Sequence, residues 1–136
     1  MIFIDTTIWV AAIDSSDELH EDGKSTLNAL IERKLSIALT TDYVLDEVMT
    51  ILKKRKIPPK KIISVIESII ESPLVEVIFV DEQIFTEALK IFKKYEKLSF
   101  TDSTTLAVMR KYKIKEIYSH DSNFDLPGIT RRERPP

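Results

Sequence analysis

The feature that most constrains this chain is an alternation. Four short apolar, β-branched segments, residues 1–4, 36–40, 74–80 and 116–119, read as buried strands, and each is separated from the next by stretches with helical periodicity. The helical stretches are expected at residues 7–13, 22–34, 42–56, 59–72, 81–97 and 101–113, with Pro58-Pro59 and Pro73 as breaks. Strands spaced this far apart cannot pair through hairpins, so crossovers must join them, and crossovers make a sheet parallel. A parallel sheet needs cover on both faces. The expected fold is therefore α/β, a three-layer α/β/α sandwich with a central, mainly parallel sheet. In such folds functional sites lie beyond the carboxyl ends of the strands.

Size and charge narrow the possibilities further. With 136 residues the chain fits one domain, expected at residues 1–130, followed by a basic C-terminal tail at 131–136. A hydrophobic content of 43% suits a soluble globular protein, and no apolar run approaches the ~20 residues of a bilayer span. Met1 leads directly into strand-like sequence without the parts of a signal peptide, so a cytoplasmic location is expected. The absence of cysteine excludes disulfides, thiolate metal sites and cysteine nucleophiles. A formal net charge of −2 excludes a uniform positive field as the attraction for a polyanion, so any nucleic-acid contact must be local. Abundant Lys, Glu and Ile with only two Gly lean towards a thermophilic source.

Four carboxylates stand where such a fold places its chemistry. Asp5 ends the first strand segment; it would serve as a helix N-cap, yet Thr6 and Thr7 would cap as well without a negative charge at the head of the sheet. In DYVLDEVMTILKK the apolar stripe of Val44, Leu45, Val48, Ile51 and Leu52 puts Asp46 roughly 160° from its centre and Glu47 about 100°, taking ~100° per residue. Asp46 should face water, and Glu47 should sit at the border of the buried face, either looking into a cleft or held in a rim salt bridge. Asp102 lies in the first turn of the last long helix, where the dipole favours an acid, and shares a face with Leu106 and Met109. Asp121 follows the last strand segment, beside Ser122 and Asn123, a setting that also suits a turn-forming Asp; Asp125 has the same turn reading and a weaker case.

Each acid alone has an ordinary structural explanation. Together they imply a cluster of like charges, which raises carboxylate pKa values and usually persists because a cation offsets it. Oxygen-only ligation suits Mg²⁺ or Mn²⁺, which also bind phosphate oxygens, and such a site has the means to hydrolyse a phosphodiester.

In order along the chain, IFIDTTIWVA, DYVLDEVMTIL, LSFTDSTTLAVMRKY and SHDSNFDLPGI resemble the motifs of PIN domains, and are similar in particular to the VapC-type toxins of bacterial and archaeal toxin–antitoxin pairs. The resemblance spans nearly the whole chain. It implies that Asp5, Glu47, Asp102 and Asp121 coordinate one or two divalent cations, Mg²⁺ or Mn²⁺, and that Thr6 supports Asp5 through its hydroxyl. It implies an RNA substrate cut to a 5′-phosphate and a 3′-hydroxyl, a small antitoxin protein as partner, and a homodimer. Ser103, where small apolar residues are usual, and His120, where Thr or Asn is common, depart from the pattern; Asp125 is the residue that would share or replace the role of Asp121.

Other signals are weaker. The basic run at residues 53–61 reads as a solvated helix end with RNA or an acidic antitoxin as the alternative contact, and Trp9 reads as core before base-stacking platform. Apolar stripes on the helices at 42–56 and 59–72 are wider than one sheet face covers, which suits a dimer or antitoxin interface. Haloacid-dehalogenase phosphatases and D-x-E exonucleases both need an acid where Thr7 stands, and a response-regulator receiver would need an acceptor where Leu39-Thr40-Thr41 supplies none. A housekeeping RNA-processing PIN nuclease and a non-catalytic PIN scaffold remain as rivals to a toxin.

Overall fold

The computed structural model describes all residues from Met1 to Pro136. Strands β1 (Ile2–Ile4), β2 (Ala38–Thr41), β3 (Val75–Ile78), β4 (Glu116–Tyr118) and β5 (Thr130–Arg132) form one sheet in the order β3-β2-β1-β4-β5, and every pairing is parallel. Helices α1 (Thr6–Ile13), α2 (His20–Ile31), α3 (Asp42–Lys54), α4 (Pro59–Glu71), α5 (Glu82–Lys94) and α6 (Phe100–Lys111) supply the crossovers. The result is the three-layer α/β/α arrangement with a parallel sheet. No helix is long and apolar enough to cross a membrane.

Local chemistry explains the helix starts. Thr41 Oγ1 accepts the Val44 amide at 3.0 Å and Asp81 Oδ1 accepts the Ile84 amide at 2.8 Å, while Pro59 opens α4 at a position where its missing N–H costs nothing. A single core of 30 buried side chains runs through the sheet and the inner helix faces, with Trp9, Tyr118, Phe3 and Phe124 among the largest. Trp9 is 2% exposed and donates its indole N–H to Thr40 Oγ1 at 3.3 Å, so it packs in the core and is not a stacking platform.

One element departs from expectation. Arg131 and Arg132 of the segment read as a tail join Thr130 in the edge strand β5, where the three residues pair with Ile117, Tyr118 and Glu116 respectively. The polar Thr-Arg-Arg triplet lacks the alternation that marks a half-buried strand; it is held by ladder bonds and by an Arg132–Glu116 ion pair at 2.7 Å.

The topology fixes where chemistry can happen. β1 is central, and the sheet reverses its winding between β1 and β4, the position where a crevice opens at the carboxyl ends of the strands. Ile4 pairs with Tyr118, so the residues that follow, Asp5 and Ser119, emerge side by side in that crevice.

Candidate functional site

Asp5 leaves the end of β1 and occupies the N-cap position of α1 in extended conformation, yet its carboxylate makes no capping bond. Oδ2 is instead held from two sides, by Ser119 Oγ at 2.7 Å and by Thr7 Oγ1 at 3.2 Å. The capping explanation for this acid therefore fails, and the residue is 3% exposed. Burial pushes its carboxyl up to about 7; the Ser119 bond opposes the rise and the charge of Asp102 adds to it.

The resemblance gave the supporting role to Thr6, and the structure gives it to the next residue. Thr6 Oγ1 is buried without any hydrogen-bond partner, whereas the Thr7 hydroxyl reaches Asp5 and accepts the His120 amide at 2.9 Å. The reason is rotational: residues in the first turn of a helix point in directions ~100° apart, and only Thr7 faces β4. Ser119, which no sequence argument singled out, completes the network by accepting the Asp121 amide at 3.0 Å.

Asp102 lies at the third position of α6, a helix buried continuously from Asp102 to Met109. It forms a reciprocal capping box with Ser99: Ser99 Oγ accepts the Asp102 amide at 3.0 Å, and Asp102 Oδ2 accepts the Ser99 amide at 3.3 Å. Its structural role is real. Burial still pushes its carboxyl up to about 6, the Ser99 bonds opposing, with the charges of Asp121 and Glu47 adding to the rise. Asp102 is thus the acid whose charge couples to those of all three others.

Glu47 is half-buried at the edge of α3 while Asp46 is exposed, as the helical geometry predicted. It lines a cleft of ≈ 320 Å³ together with Thr6, Thr7, His120, Asp17 and Arg55. Asp121 accepts the Asn123 amide on Oδ1 at 2.9 Å, capping the short 3₁₀ turn Ser122–Phe124, so its turn-forming role is also real. Asp125 does not share the place of Asp121. It is exposed, and Arg131 holds both of its oxygens, at 2.8 and 3.3 Å, so its carboxyl falls below the ordinary range.

Neither Lys nor Arg forms an ion pair with Asp5, Glu47, Asp102 or Asp121, although nine other ion pairs occur in the molecule. Four neighbouring acids without a countercharge, two of them raised by burial, are a setting that a hard divalent cation suits. The orphaned hydroxyl of Thr6 lines the same cleft. The side chains do not converge into a finished cage, since no three His, Cys, Asp or Glu side chains meet at ligand spacing.

The basic run at 53–61 is exposed except at Ile57. Its Arg55 is committed to Asp14 at 2.9 Å and Asp17 at 2.8 Å, and the bond from the Ser16 hydroxyl, followed by that from Arg55, draws the Asp14 carboxyl down to about 2.

Comparison with known proteins agrees with this geometry. The family model for the PIN domain matches residues 2–128. A VapC ribonuclease of Archaeoglobus fulgidus is 35% identical over 131 residues, covering 94% of this chain and 81% of that protein. The 23S rRNA-specific endonuclease VapC20 of Mycobacterium tuberculosis is 30% identical over 131 residues, 95% of each chain. The crystal structure of Mycobacterium tuberculosis VapC20, a sarcin-ricin loop cleaving toxin, superposes with a TM-score of 0.82 at 28% identity over 96% of this chain and 97% of that one. VapBC2 from Rickettsia felis, bound to a DNA fragment from its promoter, gives 0.70 at 15% identity over 97% and 98%, a likeness of fold alone. An acid after β1, another at the edge of α3, a third opening α6 and a fourth after β4, in a fold matched along its whole length, leave one conclusion: this chain belongs to the PIN-domain family.

Proposed function

We propose that the protein is a divalent-metal-dependent endoribonuclease, that Asp5, Glu47, Asp102 and Asp121 hold Mg²⁺ or Mn²⁺, and that it acts as the toxin of a toxin–antitoxin pair in the cytoplasm. The observation that carries the reading is that four acids whose charges couple through Asp102 have no Lys or Arg paired to any of them. A cation held there would supply charge neutralisation at phosphate and a more acidic water.

The chain's own residues do the rest. Asp5 is the fixed point, because Ser119 and Thr7 hold one of its oxygens and leave the other available. Asp102 is anchored through the helix cap that it completes, and Asp121 through the turn that it caps. Glu47 alone lacks such a tether and lines the cleft, so it is the acid best able to adjust or to accept a proton from an attacking water.

Two surfaces support the partner reading. An apolar cleft of ≈ 230 Å³ lined by Leu27, Ile31, Val65, Ile69 and Leu74 would bury a short apolar segment of an antitoxin. Phe85, Leu89 and Phe92 on α5 are 40–43% exposed, and the rings of Phe85 and Phe92 lie 4.8 and 5.8 Å from that of Phe100, an aromatic face suited to a second copy. Complexes of toxin with antitoxin occur among the proteins of this fold.

The test is cleavage of ribosomal and other RNA with Mg²⁺ or Mn²⁺, comparing the parent with Asp5→Asn and Asp102→Asn. Cutting should need the cation and fall at least ~100-fold in each variant, since even outer-shell changes at metal sites cost ~10–100-fold. Titration of a cognate antitoxin should stop the cutting. Equal activity in parent and variants, or full activity in EDTA, would remove the assignment.

A further inference from the structure

Arg131 is the one side chain of β5 turned inward, with its side chain 15% exposed. Its guanidinium makes four bonds. Nε and Nη2 fork onto Asp125 at 2.8 and 3.3 Å, and Nη1 donates to the Ser119 carbonyl at 3.1 Å and to Glu133 Oε1 at 3.0 Å. Ser119 follows β4 and Asp125 ends the 3₁₀ turn Ser122–Phe124, so the two residues flank the segment that carries Asp121. One planar cation thus closes that loop on itself, a task suited to an Arg fork and not to the single ammonium of Lys.

The strand adds further ties to the same loop. The Ser119 amide donates to the Arg132 carbonyl at 3.0 Å, and His120 Nε2 lies 2.9 Å from the Glu133 carbonyl oxygen. Ser119 in turn reaches Asp5 through its hydroxyl and holds the Asp121 amide. A change at Arg131 therefore reaches two of the four acids through one residue. Arg131 pairs with none of the four acids itself, and its charge is already answered by Asp125 and Glu133, so it neither grips phosphate nor compensates the cluster.

We infer that Arg131 is a positioning residue, which clamps the loop at residues 119–125 so that Asp121 and the Ser119–Asp5 bond are held in register for the cation. The inference rests on the metal-site reading above, and two separate readouts keep them apart. The first is Mn²⁺ affinity, measured by electron paramagnetic resonance on the full chain for the parent, Arg131→Gln, Arg131→Lys, Asp125→Asn and Asp102→Asn. The second is amide hydrogen exchange at residues 121–125 without added metal, read against the β1 amides as an internal control.

With β1 exchange unchanged, Arg131→Gln should exchange ~10-fold or more faster in the loop and bind Mn²⁺ ~10–100-fold more weakly, with cleavage recovering as Mn²⁺ is raised. Arg131→Lys should fail to restore the parent's affinity, and Asp125→Asn should move both readouts the same way from the other end of the fork. Parent-like loop exchange and Mn²⁺ affinity in folded Arg131→Gln and Asp125→Asn would overturn the assignment. Failure of the parent to bind Mn²⁺ at all would overturn the metal site, and with it the role of Arg131 towards a cation, whatever the loop does. If Arg131→Gln loses β1 protection as well, Asp125→Asn decides, and parent-like behaviour there overturns the clamp.

Discussion

Removing the charge of Asp5 should destroy activity and stabilise the metal-free fold. The carboxyl is buried and raised from 3.8 to about 7, so at pH 8 the folded chain carries an ion that the same group in the unfolded chain carries at no cost. A gap of about 3 pH units at ~1.36 kcal/mol each puts the penalty near 4 kcal/mol as an upper bound. In Asp5→Asn the amide oxygen still accepts from Ser119, but the amide nitrogen needs a buried acceptor, which returns ~1–3 kcal/mol of the gain. The expected net effect at pH 8 in EDTA is a variant ~1–3 kcal/mol more stable, or roughly 3 to 5 °C in melting temperature per kcal/mol. The sign with pH follows from linkage. A carboxyl raised on folding favours the fold below its unfolded pKa and loses that contribution as pH rises through the folded value near 7. The parent should therefore lose stability relative to the variant between about pH 4 and pH 7, with a constant gap above. Cation at one thousand times Kd reverses the order, since only the parent gains from binding, by ~4.1 kcal/mol. Thermal melts of both proteins at pH 4, 6 and 8, with EDTA and with Mg²⁺, test each step. A variant no more stable than the parent at pH 8 in EDTA, with no dependence of the gap on pH, would refute the reasoning.

Two further outcomes follow from the packing. Trp9→Ala empties a core site and frees the Thr40 hydroxyl, so it should cost ~3–5 kcal/mol in urea unfolding while leaving the acids in place. Phe92→Ser should lower the sedimentation mass to that of a monomer at concentrations where the parent associates, if the aromatic face of α5 is the contact between copies; a parent that is monomeric throughout would exclude that contact.

The alternation of strand and helix was enough to read the parallel sheet, because crossover length and apolar runs are properties of the chain alone. The edge strand was not, because Thr-Arg-Arg carries no apolar pattern and gains its place from pairing with β4. The positions of the four acids at strand ends and helix edges were legible by order and by helix geometry; half-buried Glu47 beside exposed Asp46 shows the precision available from a ~100° step. Their support was less so. Choosing between Thr6 and Thr7 depends on where α1 begins, and the sequence places that start one residue late. Ser119 had a signal of its own: in a parallel pair of known register, the residue after β4 stands next to the residue after β1. That register requires knowing that β1 and β4 are neighbours, which no local pattern states. Asp125 misled for the opposite reason, since its partner Arg131 lies in the segment read as a tail. The Asp14–Arg55–Asp17 group joins a loop to the end of α3 across 41 and 38 positions, too far apart for spacing to reveal.

The most direct test of the account is where a metal ion goes. Crystals of the parent grown with Mn²⁺, measured at the manganese absorption edge, should give an anomalous peak bounded by carboxylate oxygens of Asp5, Asp102 and Asp121 with Glu47 facing it, and the peak should vanish in Asp102→Asn. A peak elsewhere, such as at Asp14 and Asp17, or none at saturating Mn²⁺, would contradict the claim that these acids act together.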